Sequence, residues 1–100
     1  MDYKVIFREP FLEDLETIVR QVAEENVSAA QKLGELIVSV GESLDFFPER
    51  YPRVKQRPEL RRYVVAKHFK VFYRVNSDNQ VVEILRCWDG RRGTNPKLAS

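Results

Sequence analysis

"SAAQKLGELIVSVGESLDFF", residues 28–47, sets apolar side chains at Ala30, Leu33, Ile37, Val40, Leu44 and Phe47, spaced 3-4-3-4-3. A helix turns once in about 3.6 residues, so this period gathers all six on one stripe. The stretch predicts a long helix of some 30 Å, at about 1.5 Å per residue, with one face turned to a core. Ser28, with Gln31 three positions on, has the form of a capping box and marks the predicted start. Gly34 and Gly41 lie beside the stripe. Each costs about 1 kcal/mol of helix propensity relative to Ala. Close approach of a neighbouring element would compensate, with contact to a second copy as the alternative.

Upstream, "YKVIFR" (3–8) alternates and is rich in β-branched and aromatic residues, which predicts a strand. Pro10 suits the first turn of a helix, where its missing N–H is no loss. Leu12, Leu15, Val19, Val22 and Ala23 then form a second stripe, on a helix ending near Asn26. So short a link between two helices predicts an antiparallel hairpin. Downstream, Pro48, Pro52 and Pro58 punctuate a loop that cannot continue the helix. Three strand-like segments follow, "LRRYVVA" (60–66), "FKVFYRV" (69–75) and "VVEILRCW" (81–88). Lys67 and His68 fill the first turn between them and "NSDN" the second. The order β-α-α-β-β-β predicts an α+β fold, an antiparallel helix hairpin packed on a mostly antiparallel four-stranded sheet. One domain spans 1–100, with a flexible tail expected after Gly93.

Composition narrows the function classes. No apolar run approaches the roughly 20 residues of a membrane span. "MDYKVIFREP" carries charges where a secretory leader would be apolar, so no leader and no membrane partner are expected. One Cys permits no internal disulfide and suits a reducing cytoplasm. One His and one Cys cannot supply the roughly four N/S ligands of a structural zinc, so neither metal nor cofactor is expected. Charge is unevenly divided. Residues 1–50 carry five Lys/Arg against eleven Asp/Glu, and residues 51–100 twelve against four. The second half therefore offers a basic face to a polyanion or an acidic protein, unless the halves neutralise each other within the fold.

The end of the last strand, "ILRCWDGRR" (84–92), concentrates the only Trp, the only Cys and two adjacent arginines. Cys87 alternates with Leu85 and reads as an inert core residue. Trp88 either covers the core edge or is held out for partner contact. Arg86 can pair with Glu83 or with an acidic helix residue. His68 reads as exposed and uninvolved. Arg61, Arg62, Arg74, Arg91 and Arg92 would share a basic sheet edge.

In this order and at these spacings, "FPERYPRV", "LRRYVV", "VFYRV" and "VEILRCWDGRR" resemble the RelE/ParE superfamily of type II toxin–antitoxin toxins, from Tyr3 to Arg92. The resemblance implies a small cytoplasmic bacterial toxin, often a plasmid-stabilisation element, held inactive by a cognate antitoxin. It leaves open a homodimer within a toxin–antitoxin heterotetramer. Two activities are implied by its two branches. The ParE-like branch poisons DNA gyrase and has no established catalytic side chains. The long hairpin and "FPERYP" look more like this branch. The RelE-like branch is a metal-independent endoribonuclease acting on ribosome-bound mRNA. Such cleavage must activate a 2′-hydroxyl, stabilise phosphorane charge and protonate the leaving oxygen. By position, Arg61, Lys70, Asp89 and Arg91 are its catalytic candidates here, and no Tyr or His follows Trp88. For target or partner binding the candidates on the basic edge and the end of the last strand are Arg61, Arg62, Arg74, Arg86, Trp88, Arg91 and Arg92. A third reading is a non-toxic relative that only binds an antitoxin.

Overall fold

The computed structural model describes residues 2–92. The tail expected after Gly93 and the side chain of Arg92 lie outside the described residues. Strand β1 (Lys4–Phe7) leads into helix α1 (Glu9–Ala23) and helix α2 (Val27–Glu42). Two 3-10 turns, Ser43–Asp45 and Pro48–Arg50, carry the chain to β2 (Arg53–Val54). Strands β3 (Arg57–Val65), β4 (Phe69–Asn76) and β5 (Val81–Asp89) complete the sheet. The strand order is β1-β5-β4-β3-β2. β1 runs parallel to β5, and every other pairing is antiparallel. Among the described residues no helix is long and apolar enough to cross a membrane.

The sheet has five strands where four were expected. The extra one is the two-residue β2, inside the proline loop, too short to leave any alternation in the sequence. Beside it β3 starts at Arg57 rather than Leu60. Pro58 is accommodated because the β2–β3 register is irregular between Arg53 and Val54.

Both helices form, with local adjustments. On α1 the buried positions are Phe11 and Ile18, with Leu15 and Val22 packed against the same core. Leu12 is 46% exposed. The stripe is therefore rotated by one position, because Phe11 brings the larger ring inward, tilted against Phe7 at 5.4 Å. The cap of α2 is Asn26, not Ser28: its side chain accepts from the Ala29 N–H at 2.9 Å. Ala30, Ile37 and Leu44 of the second stripe are buried, as read. Phe47 is not. The α-helix ends at Glu42, and Phe47 sits at φ 49°, which turns its ring outward.

The glycines have the neighbours their placement called for. A Cβ on Gly34 would lie 3.2 Å from Val19 of α1; on Gly41 it would lie 2.9 Å from the Phe7 ring. The small residues thus admit α1 and β1 close to α2. Two buried hydroxyls then fasten the helix layer to the sheet. Tyr63 donates to the Ile37 carbonyl at 2.9 Å, and Tyr73 to the Pro48 carbonyl at 2.6 Å. Burial pushes the Tyr73 phenol up to about 12, and raises Tyr63 as well, with smaller contributions from Cys87 and the neighbouring tyrosines. Neither hydroxyl titrates at neutral pH.

Candidate partner and target interface

Register decides which cations face the helices and which do not. Arg61, Tyr63 and Val65 pair with Tyr73, Val71 and Phe69, and the apolar members of this set belong to the helix-side core. Arg62 and Val64 pair with Phe72 and Lys70, so these four occupy the opposite, helix-free face. Lys70 in turn pairs with Trp88, and Arg74 with Glu83. Leu60 and Phe72 are only 2% and 3% exposed, yet neither belongs to the main core cluster. They form an apolar floor on the helix-free face, with Val64 49% exposed beside it.

A bulge makes this arrangement. Phe72 opposes Arg86 while Tyr73 opposes Ile84, so Leu85 has no partner of its own. Strict alternation would put Leu85 and Cys87 on one face. Instead Ile84 and Cys87 are buried and Leu85 is only half-buried. Burial pushes the Cys87 thiol up to about 12, helped by the charges of Asp14 and Asp89, and the side chain lies in the core as read.

The arginines do not share one edge. Arg61 and Arg62 lie on β3, Arg74 on β4, and Arg86 and Arg91 on and after β5. Most are committed to neighbours. Arg61 donates to the carbonyls of Glu49 and Tyr51 at 3.0 and 2.7 Å, holding the loop that precedes β2. Arg86 grips Asp14 of α1 at 2.6 and 3.0 Å, and the same carboxylate accepts the Cys87 N–H at 3.0 Å. Asp14 therefore seals the edge of β5 beyond Ile84, where β1 has ended. Arg74 and Arg8 both close on Glu83, at 2.9 and 2.8 Å. Burial raises the Glu83 carboxyl, but the hydrogen bonds from Arg74 and Arg8 outweigh it and hold it below the usual range. Arg62 and Lys70 have no ion pair among the described residues.

The end of β5 forms a separate corner. Asp89 accepts from Arg91 at 3.0 and 2.8 Å, and the guanidinium lies 5.3 Å from the centre of the Phe69 ring. The bond to Asp89 and its charge raise the Arg91 guanidinium further above its ordinary range. The Gly90 N–H donates to the His68 carbonyl at 2.6 Å. A Cβ on Gly90 would fall 2.8 Å from that oxygen and 3.4 Å from Lys70 Cε. The β3–β4 turn thus brings the His68 backbone against Gly90, beside the Lys70 side chain. Sequence order hid this, because the His68 backbone and Gly90 meet only through the β4–β5 pairing. Trp88 is half-buried and, with Asp14, Thr17, Gln21 and Asp89, lines a groove of about 110 Å³ between α1 and β5. Of the four catalytic candidates, Asp89 and Arg91 pair, Lys70 approaches the intervening Gly90 from the helix-free face, and Arg61 lies apart.

A two-helix layer on a five-stranded, mostly antiparallel sheet is the fold found in RelE/ParE toxins of known structure. The chain belongs to the family described as ParE toxin of the type II toxin–antitoxin system, parDE, which matches residues 5–93. It is the toxin component of such a system. Its fold is similar to the chromosomal ParDE system of P. aeruginosa, with TM-score 0.72 and 20% identity over 87% of this chain and 95% of that one. It is similar to the RelBE2 toxin–antitoxin complex of Mycobacterium tuberculosis, with TM-score 0.66 and 17% identity over 89% and 99%. The archaeal RelE–RelB complex of Pyrococcus horikoshii gives 0.60 and 17% over 92% and 99%. The comparison with curated proteins gives no match.

Proposed function

We propose that this toxin arrests growth in a bacterial cytoplasm by binding DNA gyrase, and that a cognate antitoxin neutralises it by covering the basic helix-free face. The observation that carries the reading is the commitment of the cations. Arg61 is tied to backbone carbonyls on the wrong face for a substrate shared with Lys70, and Arg91 already holds Asp89. Such a surface does not assemble the acid, base and cations of RNA cleavage around one phosphate, which leaves poisoning by binding. The ParE description of the family supports the same branch. Toxin–antitoxin complexes among its structural relatives support the antitoxin. An amphipathic, partly acidic antitoxin segment suits this face: Arg62 and Lys70 meet its carboxylates and Val64 its apolar residues.

Expression without antitoxin should stall replication and induce the DNA-damage response, with bulk messages uncut. Purified toxin should make gyrase accumulate cleaved DNA. The double variant Arg62→Glu, Lys70→Glu should lose antitoxin affinity and much of its salt dependence. Unchanged antitoxin affinity in that folded variant would reduce the basic face to a solvated surface.

One observation favours a second reading, ribosome-dependent endoribonuclease. The end of β5 sets the His68 backbone and the Lys70 side chain beside Gly90, next to the Asp89–Arg91 pair. Codon-specific cuts in ribosome-bound messages, lost in His68→Ala or Lys70→Ala, would transfer the function to that corner. Growth unaffected by induction would leave only the antitoxin-binding role.

A further inference from the structure

Phe46 and Phe47 are 65% and 59% exposed, adjacent, and just past the C-terminal end of α2. Two neighbouring solvent-facing phenylalanines are uncommon on a small soluble domain. The backbone that presents them is uncommon too. Phe47 has φ 49° and ψ 61°, a left-handed conformation that disfavours a bulky side chain and that Gly or Asn would adopt freely. Nothing in the packing of the fold requires a ring there, since most of its surface faces water.

The segment is also clamped. Arg50 donates to the carbonyls of Ser43 and Phe46 at 3.2 and 2.9 Å and to the Ser43 hydroxyl. The Tyr3 N–H donates to the Asp45 carbonyl at 2.7 Å on one side, and Tyr73 holds the Pro48 carbonyl on the other. The rings are thus a preorganised knob, whose docking loses little conformational entropy. Glu42 and Asp45 are exposed beside them and Glu49 is half-buried. The one guanidinium in the segment, that of Arg50, points at backbone carbonyls. An acidic antitoxin tail, which suits the basic sheet face, is repelled at this end.

We propose that the Phe46–Phe47 knob is the contact through which the toxin engages its target protein, separate from the antitoxin face. The inference rests on the gyrase reading for the identity of that target. An acidic rim around two aromatic anchors fits an apolar cleft bordered by Lys and Arg, and a surface that binds DNA carries basic residues of that kind. The proposal therefore includes competition between toxin and DNA for that surface.

The test uses the full chain with Phe46→Ser, Phe47→Asn. Asn tolerates the left-handed backbone and both rings are mostly exposed, so melting and antitoxin affinity should match wild type. Affinity for purified gyrase should fall roughly tenfold or more, and growth arrest should weaken with it. A short duplex DNA should compete with wild-type toxin for gyrase. Gyrase affinity and arrest at wild-type levels in the folded variant would overturn the proposal. If wild-type toxin itself binds no gyrase, the gyrase reading fails alone. Growth arrest then decides the knob: arrest lost with antitoxin binding intact sustains it against another target, and arrest retained overturns it. The single variant Phe46→Ser, which leaves residue 47 untouched, repeats the measurement should the double variant melt early.

Discussion

Asp14→Ala should be among the most destabilising single changes outside the apolar core. The carboxylate holds Arg86 through two hydrogen bonds and takes the backbone N–H of Cys87, at a stretch of β5 left without a strand partner. Its side chain is 18% exposed and that of Arg86 29%, so water replaces these bonds only in part. Orphaning a buried backbone donor costs about 1–3 kcal/mol, and loss of a half-buried charged acceptor adds to it. A total of about 2–4 kcal/mol is a large share of the 5–15 kcal/mol typical of a domain. At roughly 4–8 °C per kcal/mol for this chain length, Tm should fall by about 10 °C or more. Asp14→Asn retains an amide oxygen for the Cys87 N–H and should lose about half as much. Calorimetry of Asp14→Ala, Arg86→Ala and the double variant should give a coupling above about 1 kcal/mol. An Asp14→Ala protein melting within about 2 °C of wild type would refute the claim that this carboxylate seals the strand edge.

Three further outcomes follow from the packing and the charges. Ile37→Asp puts a carboxylate at a fully buried position between helix and sheet and should abolish cooperative folding; a soluble protein with a sharp melt would contradict the assignment of the seam. Glu83 has a lowered folded pKa, so its contribution is complete above the unfolded value of about 4.3 and is lost as pH falls through the folded one. Wild type should therefore lose more stability than Glu83→Gln on going from pH 6 to pH 3. The difference should be modest, since Arg8 and Arg74 are nearly half exposed, and parallel acid melts would show the ion triad to be inert. Cys87 should resist iodoacetamide at pH 8 until the protein unfolds; native-state labelling at the rate of a free thiol would mean the β5 edge opens.

The fold was legible because its signals are periodic and redundant. The α2 stripe, the short hairpin link and three strand-like runs each constrain the same topology, so errors of one residue in α1 or two in a cap do not disturb it. What escaped was whatever depends on a single partner. β2 exists because Arg53 meets Arg61, not because of its own two residues. The Asn26 cap outcompeted Ser28 because the chain turns two residues earlier. Phe47 continues the 3-4 spacing of its stripe, yet the helix stops five residues before it.

The basic surface was harder to read for a more general reason. Counting arginines in the second half of the chain measures charge; it does not say how much charge is available. The bulge at Leu85 moves Trp88 to the face shared with Lys70 and turns Cys87 inward, and Asp14 then takes Arg86. Glu83 engages Arg74, and the carbonyls of Glu49 and Tyr51 engage Arg61. What is left on the helix-free face is a narrow basic strip, Arg62 and Lys70, over the apolar floor of Leu60 and Phe72. A strip of that form suits one amphipathic segment with a few carboxylates, and it lies on the opposite layer from the acidic knob at Phe46 and Phe47. If both assignments hold, antitoxin and target engage different surfaces. Neutralisation must then act by occlusion from a neighbouring position or by holding the toxin in an assembly too large for gyrase to accept. A ternary complex of toxin, antitoxin C-terminal peptide and gyrase would separate these: the isolated peptide should bind without displacing gyrase, while the full-length antitoxin should release it. Displacement by the short peptide alone would place both partners on one surface and refute the division.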